Sequence, residues 1–383
     1  MSEDNRSKKN INEVMEHLSV NFQAEQGLIL QIKKQIAWMI AGQILDEGDA
    51  LPSVRELARH LKVNMHTVRL AYNRLETEGL IETRPRARAR VLSYDPLRFA
   101  DQTSRVRSHT VGIILPSMSN PFYQAFLKGV QLVAEQNNTL TFICSTYDDE
   151  TLAWRYYAQL ITNGVDGAIS VSHDMSEFVR SEEDVIKTPL VSVDYPARFG
   201  YSIELDHKNS GYLATEHLIQ HGYNRIALVR YTLDVPSMQQ IQLGYESALR
   251  QAGIHISQNL ILRVNGFDRT SGETAAQSLL LMPERPDAVF MISDQLAIGA
   301  IQAFQKAGIS VPQDIAIASF NNIPEATLIT PSLTTVNAPT EQLGQAAMHL
   351  LNELIAGQMP KHKHLCLPCS ELVIRQSCGC NLS

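Results

Sequence analysis

"LPSVRELARHLKVNMHTVRLAYNRLETEGLIETR", residues 51–84, holds two helix starts and a helix stop. Ser53 followed by Glu56 is a capping box, in which each side chain satisfies the other's backbone N–H. Leu57, Ala58 and Leu61 then form a buried stripe. Asn64 is a second N-cap, Val68, Ala71, Tyr72 and Leu75 make the next apolar face, and Gly79 stands where a C′ glycine belongs. Two or three residues between the helices leave room only for a tight turn. Upstream, Leu28, Ile32, Ile36, Met39 and Ile40 recur at helical spacing until Gly48 and Asp49. Downstream, "LIET" and "ARVLSY" read as short strands flanking Arg84, Arg86, Arg88 and Arg90. The expected unit is three helices and a β-wing.

Charge separates this unit from the rest. Residues 51–94 carry nine Lys/Arg against four Asp/Glu, a net +5, whereas residues 110–383 carry 16 against 26, a net −10. A basic head on an acidic body confines a polyanion partner to the head. In a helix-turn-helix the second helix enters the major groove by its N-terminal turn. That turn offers Asn64, His66, Thr67 and Arg69, with Arg55 on the preceding helix, and none lies on the apolar face. In the wing, arginines spaced by two would share one side of an extended segment and could fork onto phosphates. Double-stranded operator DNA is the expected partner, read by Arg55, Asn64, His66, Thr67 and Arg69 and gripped by Arg84, Arg86 and Arg88.

Beyond residue 110 the pattern changes to short apolar runs: "VGIIL", "LTFI", "GAISV", "LVSV", "RIALV", "AVFMI" and "IAIA". Helical stretches follow most of them, the mark of a parallel sheet covered on both faces. Some 270 residues exceed one sheet, so two lobes are expected. The fold class is α/β: an N-terminal winged helix-turn-helix plus a two-lobed, doubly wound parallel-sheet domain. The expected boundaries are a loose arm over 1–26, the head over 27–92, a linker over 93–109 and the body over 110–383. Lobe 1 is assigned about 110–205 and 320–335, and lobe 2 about 206–319 and 336–383.

Ligands of open α/β sheets gather at strand carboxyl ends. Those ends place Phe122, Tyr123, Asp148, Asp194, Asp294 and Asn321 together, a mixture suited to a polyhydroxylated molecule whose hydroxyls bond carboxylates and amides while its C–H faces lie on rings. Catalysis finds no support. Ser172, His173 and Asp174 are sequence neighbours and cannot form a relay, and no phosphate loop, HExxH or GxGxxG follows a strand. The alternative is a metabolite-binding or metabolite-converting enzyme with a regulatory head. No cofactor and no metal site are expected: Cys366 and Cys369 have CxxC spacing, but Cys378 and Cys380 are CxC beyond a strand-like "ELVIR". Five cysteines and the absence of an apolar leader or span fit a cytoplasmic protein without membrane contact.

Residues 28 to 92 resemble the winged head of GntR-type bacterial regulators, nearest the YtrA-like branch with its LPSVRELA signature. The resemblance implies that Arg55, His66, Thr67 and Arg69 contact DNA, with Met65 standing where an arginine is frequent and "RPRARAR" replacing a glycine-rich tip. The body resembles the LacI/GalR effector domain, periplasmic-binding-protein-like, through "VGIILPSMSNPFYQAFLKGV", "FMISDQLAIGAIQAFQKAGISVPQDIAIASFNN" and "PSLTTVNAPTEQLG". That implies Phe122, Tyr123, Asp194, Phe267 and Asp294 as effector contacts; Gln239 and Ile241 stand where the family often has arginine and "SFNN" replaces its "GYDD", and Gln239 and Asn321 complete the expected set. The resemblance further implies a repressor, a carbohydrate-class effector and a homodimer.

Overall fold

The computed structural model describes residues 11–22, 27–42, 44–84, 87–92, 108–176, 189–197 and 200–380. In the head, α1 (Ile11–Glu16), α2 (Leu28–Ala41), α3 (Val54–Leu61) and α4 (Met65–Thr77) enclose one core of Ile32, Ile36, Leu57, Val68, Leu75 and Ile81. Both halves of the capping box form: Glu56 N–H donates to Ser53 Oγ (3.2 Å) and Ser53 N–H to Glu56 Oε2 (2.8 Å). Lys62 takes φ +54 and closes the turn. The buried Tyr72 hydroxyl donates to Pro52 O at 2.7 Å, tying α4 to the chain before α3.

The wing pairs β1 (Ile81–Glu82) with β2 (Arg90–Val91), Ile81 opposite Val91. Residues 48–51 join β2 through Leu51 N–H to Ala89 O and Val91 N–H to Asp49 O. The expectation of one arginine-bearing side on an extended tip is not met. Ala87 N–H donates to Arg84 O (3.1 Å), and Arg84, Arg88 and Arg90 reach three different partners. Pro85 and Arg86 lie outside the described residues, as do 93–107 of the expected linker.

The first 26 residues are not all a loose arm. α1 and the residue after its turn bury Val14 and Leu18 in the head core, and Ser19 N–H donates to Gln35 Oε1 at 2.9 Å. The apolar positions Ile11, Val14 and Leu18 have helical spacing, too few to stand out from a polar segment.

In lobe 1, β3 (Thr110–Leu115), β4 (Leu140–Ser145), β5 (Gly167–Val171), β6 (Leu190–Val193), β7 (Tyr201–Leu205) and β13 (His364–Leu367) form a parallel sheet ordered β13-β7-β6-β5-β3-β4. Helices α5 (Pro121–Gln136), α6 (Glu150–Thr162) and α11 (Thr340–Ile355) cover it. In lobe 2, β8 (Ile226–Tyr231), β9 (Ile261–Val264), β10 (Ala288–Met291), β11 (Ala316–Asn321), β12 (Thr334–Asn337) and β14 (Leu372–Val373) are ordered β14-β12-β11-β10-β8-β9, with only β14 antiparallel. Helices α7 (His207–Gln220), α8 (Pro236–Gln251), α9 (Arg269–Leu280) and α10 (Asp294–Lys306) cover this sheet. α7 and α8 cross at Gly211 and Gly244, where an added Cβ would meet the carbonyls of Ile241 and Lys208 at 2.2 and 2.0 Å. Only glycine allows that approach.

The lobe assignment of the C-terminal third is corrected. Residues 320–337 complete the sheet of lobe 2, while α11 and β13 return to lobe 1. The chain therefore crosses between lobes three times, at 205–207, 337–340 and 367–372. Backbone bonds lace the crossovers together: Asp206 N–H to Leu367 O and Asn337 N–H to Glu371 O, each 2.8 Å. Apolar runs identify strands but not which of two similar sheets a late strand joins.

Candidate nucleic-acid interface and interlobe site

On the head, Asn64 caps α4, its Oδ1 accepting from His66 N–H at 2.8 Å. His66 and Arg69 are exposed and Thr67 is half-buried on the first turns of α4, opposite the buried Val68, Ala71, Tyr72 and Leu75. Arg55 is exposed on the first turn of α3. Among the described residues Arg55 and Arg69 make no ion pair. The wing arginines are engaged internally: Arg84 with Glu82 (3.0 Å), Arg88 with Glu56 (2.8 Å), and Arg90 with the Gly48 carbonyl (2.7 Å). Such exposed pairs are weak and salt-screened, so a phosphate can replace the carboxylate. The Ser53 backbone N–H and hydroxyl, helped by Arg88, hold the Glu56 carboxyl below its usual range.

Between the lobes lies a cavity of about 70 Å³ lined by Asn120, Phe122, Tyr123, Ser172 and Asp194 of lobe 1, by His207 at the crossover, and by Ser237, Met238, Ile241, Phe267, Ile292, Phe320 and Asn321 of lobe 2. Five expected effector residues, Phe122, Tyr123, Asp194, Phe267 and Asn321, therefore meet in one place. Phe122 and Tyr123 stand edge to face with centroids 5.3 Å apart, and Phe267 leans on Tyr231 at 4.7 Å. Burial pushes the Tyr123 phenol up, keeping it neutral. Asp194 sits at φ +53, a conformation that Asp and Asn tolerate better than other side chains. Its Oδ1 accepts from Leu205 N–H (3.2 Å) and is 3.1 Å from His207 Nε2. Donation from Nε2 leaves His207 Nδ1 as an acceptor, buried and without a partner among the described residues. A groove of about 720 Å³ continues past the crossovers, sharing Phe122 and Asn321 with the cavity.

Three expected contacts lie elsewhere. Gln239 donates from Nε2 to Asp234 O (3.1 Å) and Oδ2 (3.2 Å), outside the lining. Asp148, at φ +64, stands near Tyr123 and Tyr231 without lining the cavity, and burial raises its carboxyl. Asp294 is fully buried below the cleft. Its Oδ1 accepts from the Ser319 hydroxyl and from Thr335 Oγ1 (2.7 Å), and its Oδ2 from Ile323 N–H (2.7 Å). All three donors belong to the β11–β12 region, so Asp294 braces the loop that carries Asn321 instead of facing a ligand.

Burial pushes the Asp294 carboxyl up to about 6, against the hydrogen bonds of Ser319, Thr335 and Ile323. A raised native value means proton uptake on folding, so this site's contribution to stability declines as pH rises from about 4 to about 6. Asp294→Asn does not titrate. The unfolding free energy of the parent minus that of D294N, from urea titrations, is expected to be largest near pH 4 and to shrink by about 2–3 kcal/mol by pH 6.5. A pH-independent difference would exclude this titration.

Ser172, His207, Ser237, Met238 and Ile292 were absent from the expected site. β7 alternates only weakly in sequence, which conceals both the strand and its carboxyl end, where His207 follows. His173 is 2.8 Å from Thr146 Oγ1 and burial lowers it to about 4, while Asp174 accepts from Ser176 N–H. No nucleophile relay forms from Ser172.

Comparison with known proteins agrees with both halves. Residues 28–91 match the family of bacterial regulatory proteins, gntR family, and residues 215–378 match the periplasmic binding protein-like domain. The chain is 32% identical to the ribose operon repressor of Escherichia coli K12 over 79% of its own length and 92% of the relative's. It is 27% identical to the repressor CytR of the same organism, over 85% of this chain and 96% of that protein. Among solved structures, a LacI family transcriptional regulator from Enterococcus faecium with bound ribose is similar at TM-score 0.62 and 28% identity, covering 70% of this chain and 98% of that one. CcpA of Lactococcus lactis is similar at TM-score 0.64 and 26% identity, covering 71% and 99%. The chain belongs to the LacI-type repressors, carries a gntR-family head, and is a DNA-binding transcription regulator under allosteric control by a small molecule.

Proposed function

We propose that the effector is a monosaccharide of pentose size held between the lobes, and that the regulator acts as a cytoplasmic homodimer without catalytic activity. The carrying observation is the cavity itself. Its Phe122, Tyr123 and Phe267 rings suit sugar C–H faces, and its Asp194, His207 and Asn321 suit a row of hydroxyls. The ribose bound to the Enterococcus faecium relative and the name of the Escherichia coli relative favour the same class. No helix among the described residues is long and apolar enough to cross a membrane.

Closure of the lobes about the three crossovers is the two-state element that a bound sugar biases. The head touches lobe 1 through α2 and α6, with Arg155 Nε donating to Gly42 O at 3.0 Å. Lobe motion is therefore passed to the head through packed helices. Leu140, Phe142 and Ile143 are exposed on edge strand β4, and Leu132 is exposed on α5. An apolar edge of this kind favours a second copy, which would place two heads on a two-fold operator.

The test is a thermal-shift panel on the full chain. A sugar at 100 times its Kd adds about 2.7 kcal/mol to the folded lobes, equal to roughly 5 °C or more in Tm. Ribose or a related pentose is expected to give that shift, and purines and nucleosides none. A shift from nucleosides alone would overturn the sugar reading.

A further inference from the structure

His217 and His221 lie four residues apart at the carboxyl end of α7, on one helical face, with ring centroids 4.4 Å apart. The C-terminal segment after β14 brings Cys378 and Cys380 onto this pair. The two sulfurs are 3.3 Å apart, and Cys380 Sγ is 3.6 Å from His217 Nε2 and 2.8 Å from His221 Nε2. The donor atoms of His217, Cys378 and Cys380 all lie within 4.8 Å of one another. Gly379, at φ +90, lets the CxC segment turn both sulfurs to one side, and any Cβ there would strike the Tyr223 hydroxyl. In sequence the nearest thiols to this pair are Cys366 and Cys369. In the fold Cys366 lies on β13 of lobe 1, and the two histidines come from 160 residues upstream.

We propose that His217, His221, Cys378 and Cys380 form a tetrahedral zinc site that clamps the C-terminal segment to lobe 2. Tetrahedral zinc with Zn–S of about 2.3 Å and Zn–N of about 2.0 Å sets its ligand atoms roughly 3.3–3.8 Å apart, the range of the Cys378–Cys380 and Cys380–His217 separations, with His221 Nε2 reaching Cys380 from the outer side. Two thiolates and two neutral imidazoles offset the +2 charge, and this soft N/S set disfavours magnesium and calcium.

The surroundings orient the donors. His221 Nδ1 is 2.9 Å from the His217 carbonyl; donation to it fixes the tautomer with the Nε2 lone pair toward Cys380. Thr334 Oγ1 accepts from Arg375 N–H and donates to Cys378 Sγ at 3.0 Å. α7 begins at His207 in the cleft, and His217 lies ten residues along it, about 15 Å away at 1.5 Å per residue. The site is thus separate from the effector cavity and its role is structural.

The experiment uses full-length protein purified under reducing conditions without chelator. Zinc content is measured by atomic emission, zinc affinity by competition with a chromogenic chelator, and the coordination sphere by cobalt substitution. One zinc per chain is expected, with intense tetrahedral cobalt bands and thiolate-to-metal charge transfer. Cys380→Ser and His221→Gln, both at the outer side of the cluster, should each weaken zinc by about 100-fold or more. Both should leave operator binding intact, which shows that the variants are folded. Metal-free protein with weak, octahedral-type cobalt bands would overturn the proposal. So would zinc affinity unchanged in C380S, or a Cys378–Cys380 disulfide that resists reductant and excludes metal.

Discussion

Asp194→Asn is expected to weaken effector binding by about 100-fold or more while leaving operator binding without effector unchanged. Hydrogen bonds to an ionised group contribute about 1.5–3 kcal/mol each. A carboxylate that accepts two sugar hydroxyls loses both charge assistance and one acceptor when it becomes an amide. Asparagine is the informative replacement because it tolerates φ +53 and its oxygen still accepts from Leu205 N–H and His207 Nε2. The crossover at 205–207 therefore keeps its bonds, and only the ligand-facing oxygen changes. Calorimetric titration of the sugar checks the affinity, and anisotropy of labelled operator checks the head. An unchanged sugar affinity would remove Asp194 from the site.

Arg69→Ala and Arg88→Ala are expected to damage DNA binding in different ways. Arg69 is exposed on the first turns of α4, the part of the second helix that enters the groove in helix-turn-helix proteins, where a bidentate arginine–guanine contact is worth about 1–3 kcal/mol of discrimination. Its loss should weaken operator binding by about 10- to 100-fold and affect unrelated DNA much less. Arg88 rests on Glu56 in the free protein and can pass to phosphate. Its loss should weaken all sequences alike and lower the slope of log K against log salt by about 0.9. Losing Arg88 also leaves Glu56 unneutralised beside the backbone, which adds to the non-specific loss. Equal changes in specificity for both variants would sink this division.

The contrast between these residues shows what the sequence reveals and what it hides. Ser53, Glu56 and Asn64 announce their helices because capping is local chemistry, completed within three residues. The strands of both lobes are legible for the same reason, since their burial on two faces writes continuous apolar runs. The swap of residues 320–337 and 340–367 between lobes could not be read, because either sheet would accept a further parallel strand. Asp294 and Asp194 illustrate a second limit. Both are carboxylates beside strand ends, yet one turns inward to three donors and the other faces the cleft. Residue type does not carry that difference; the position of Ser319, Thr335 and Ile323 does. The wing fails for a third reason, since spacing by two aligns arginines only while the chain stays extended. Arg84, Arg88 and Arg90 instead turn to Glu82, Glu56 and the Gly48 carbonyl.

The coupling of cleft to operator is the central claim, and linkage makes it directly measurable. Operator affinity is determined by anisotropy with and without saturating sugar, and sugar affinity by calorimetry with and without operator. The two ratios must be equal and are expected to differ from one by about 5- to 150-fold. A sugar that binds the full chain yet leaves operator affinity unchanged would contradict allosteric control through this cleft.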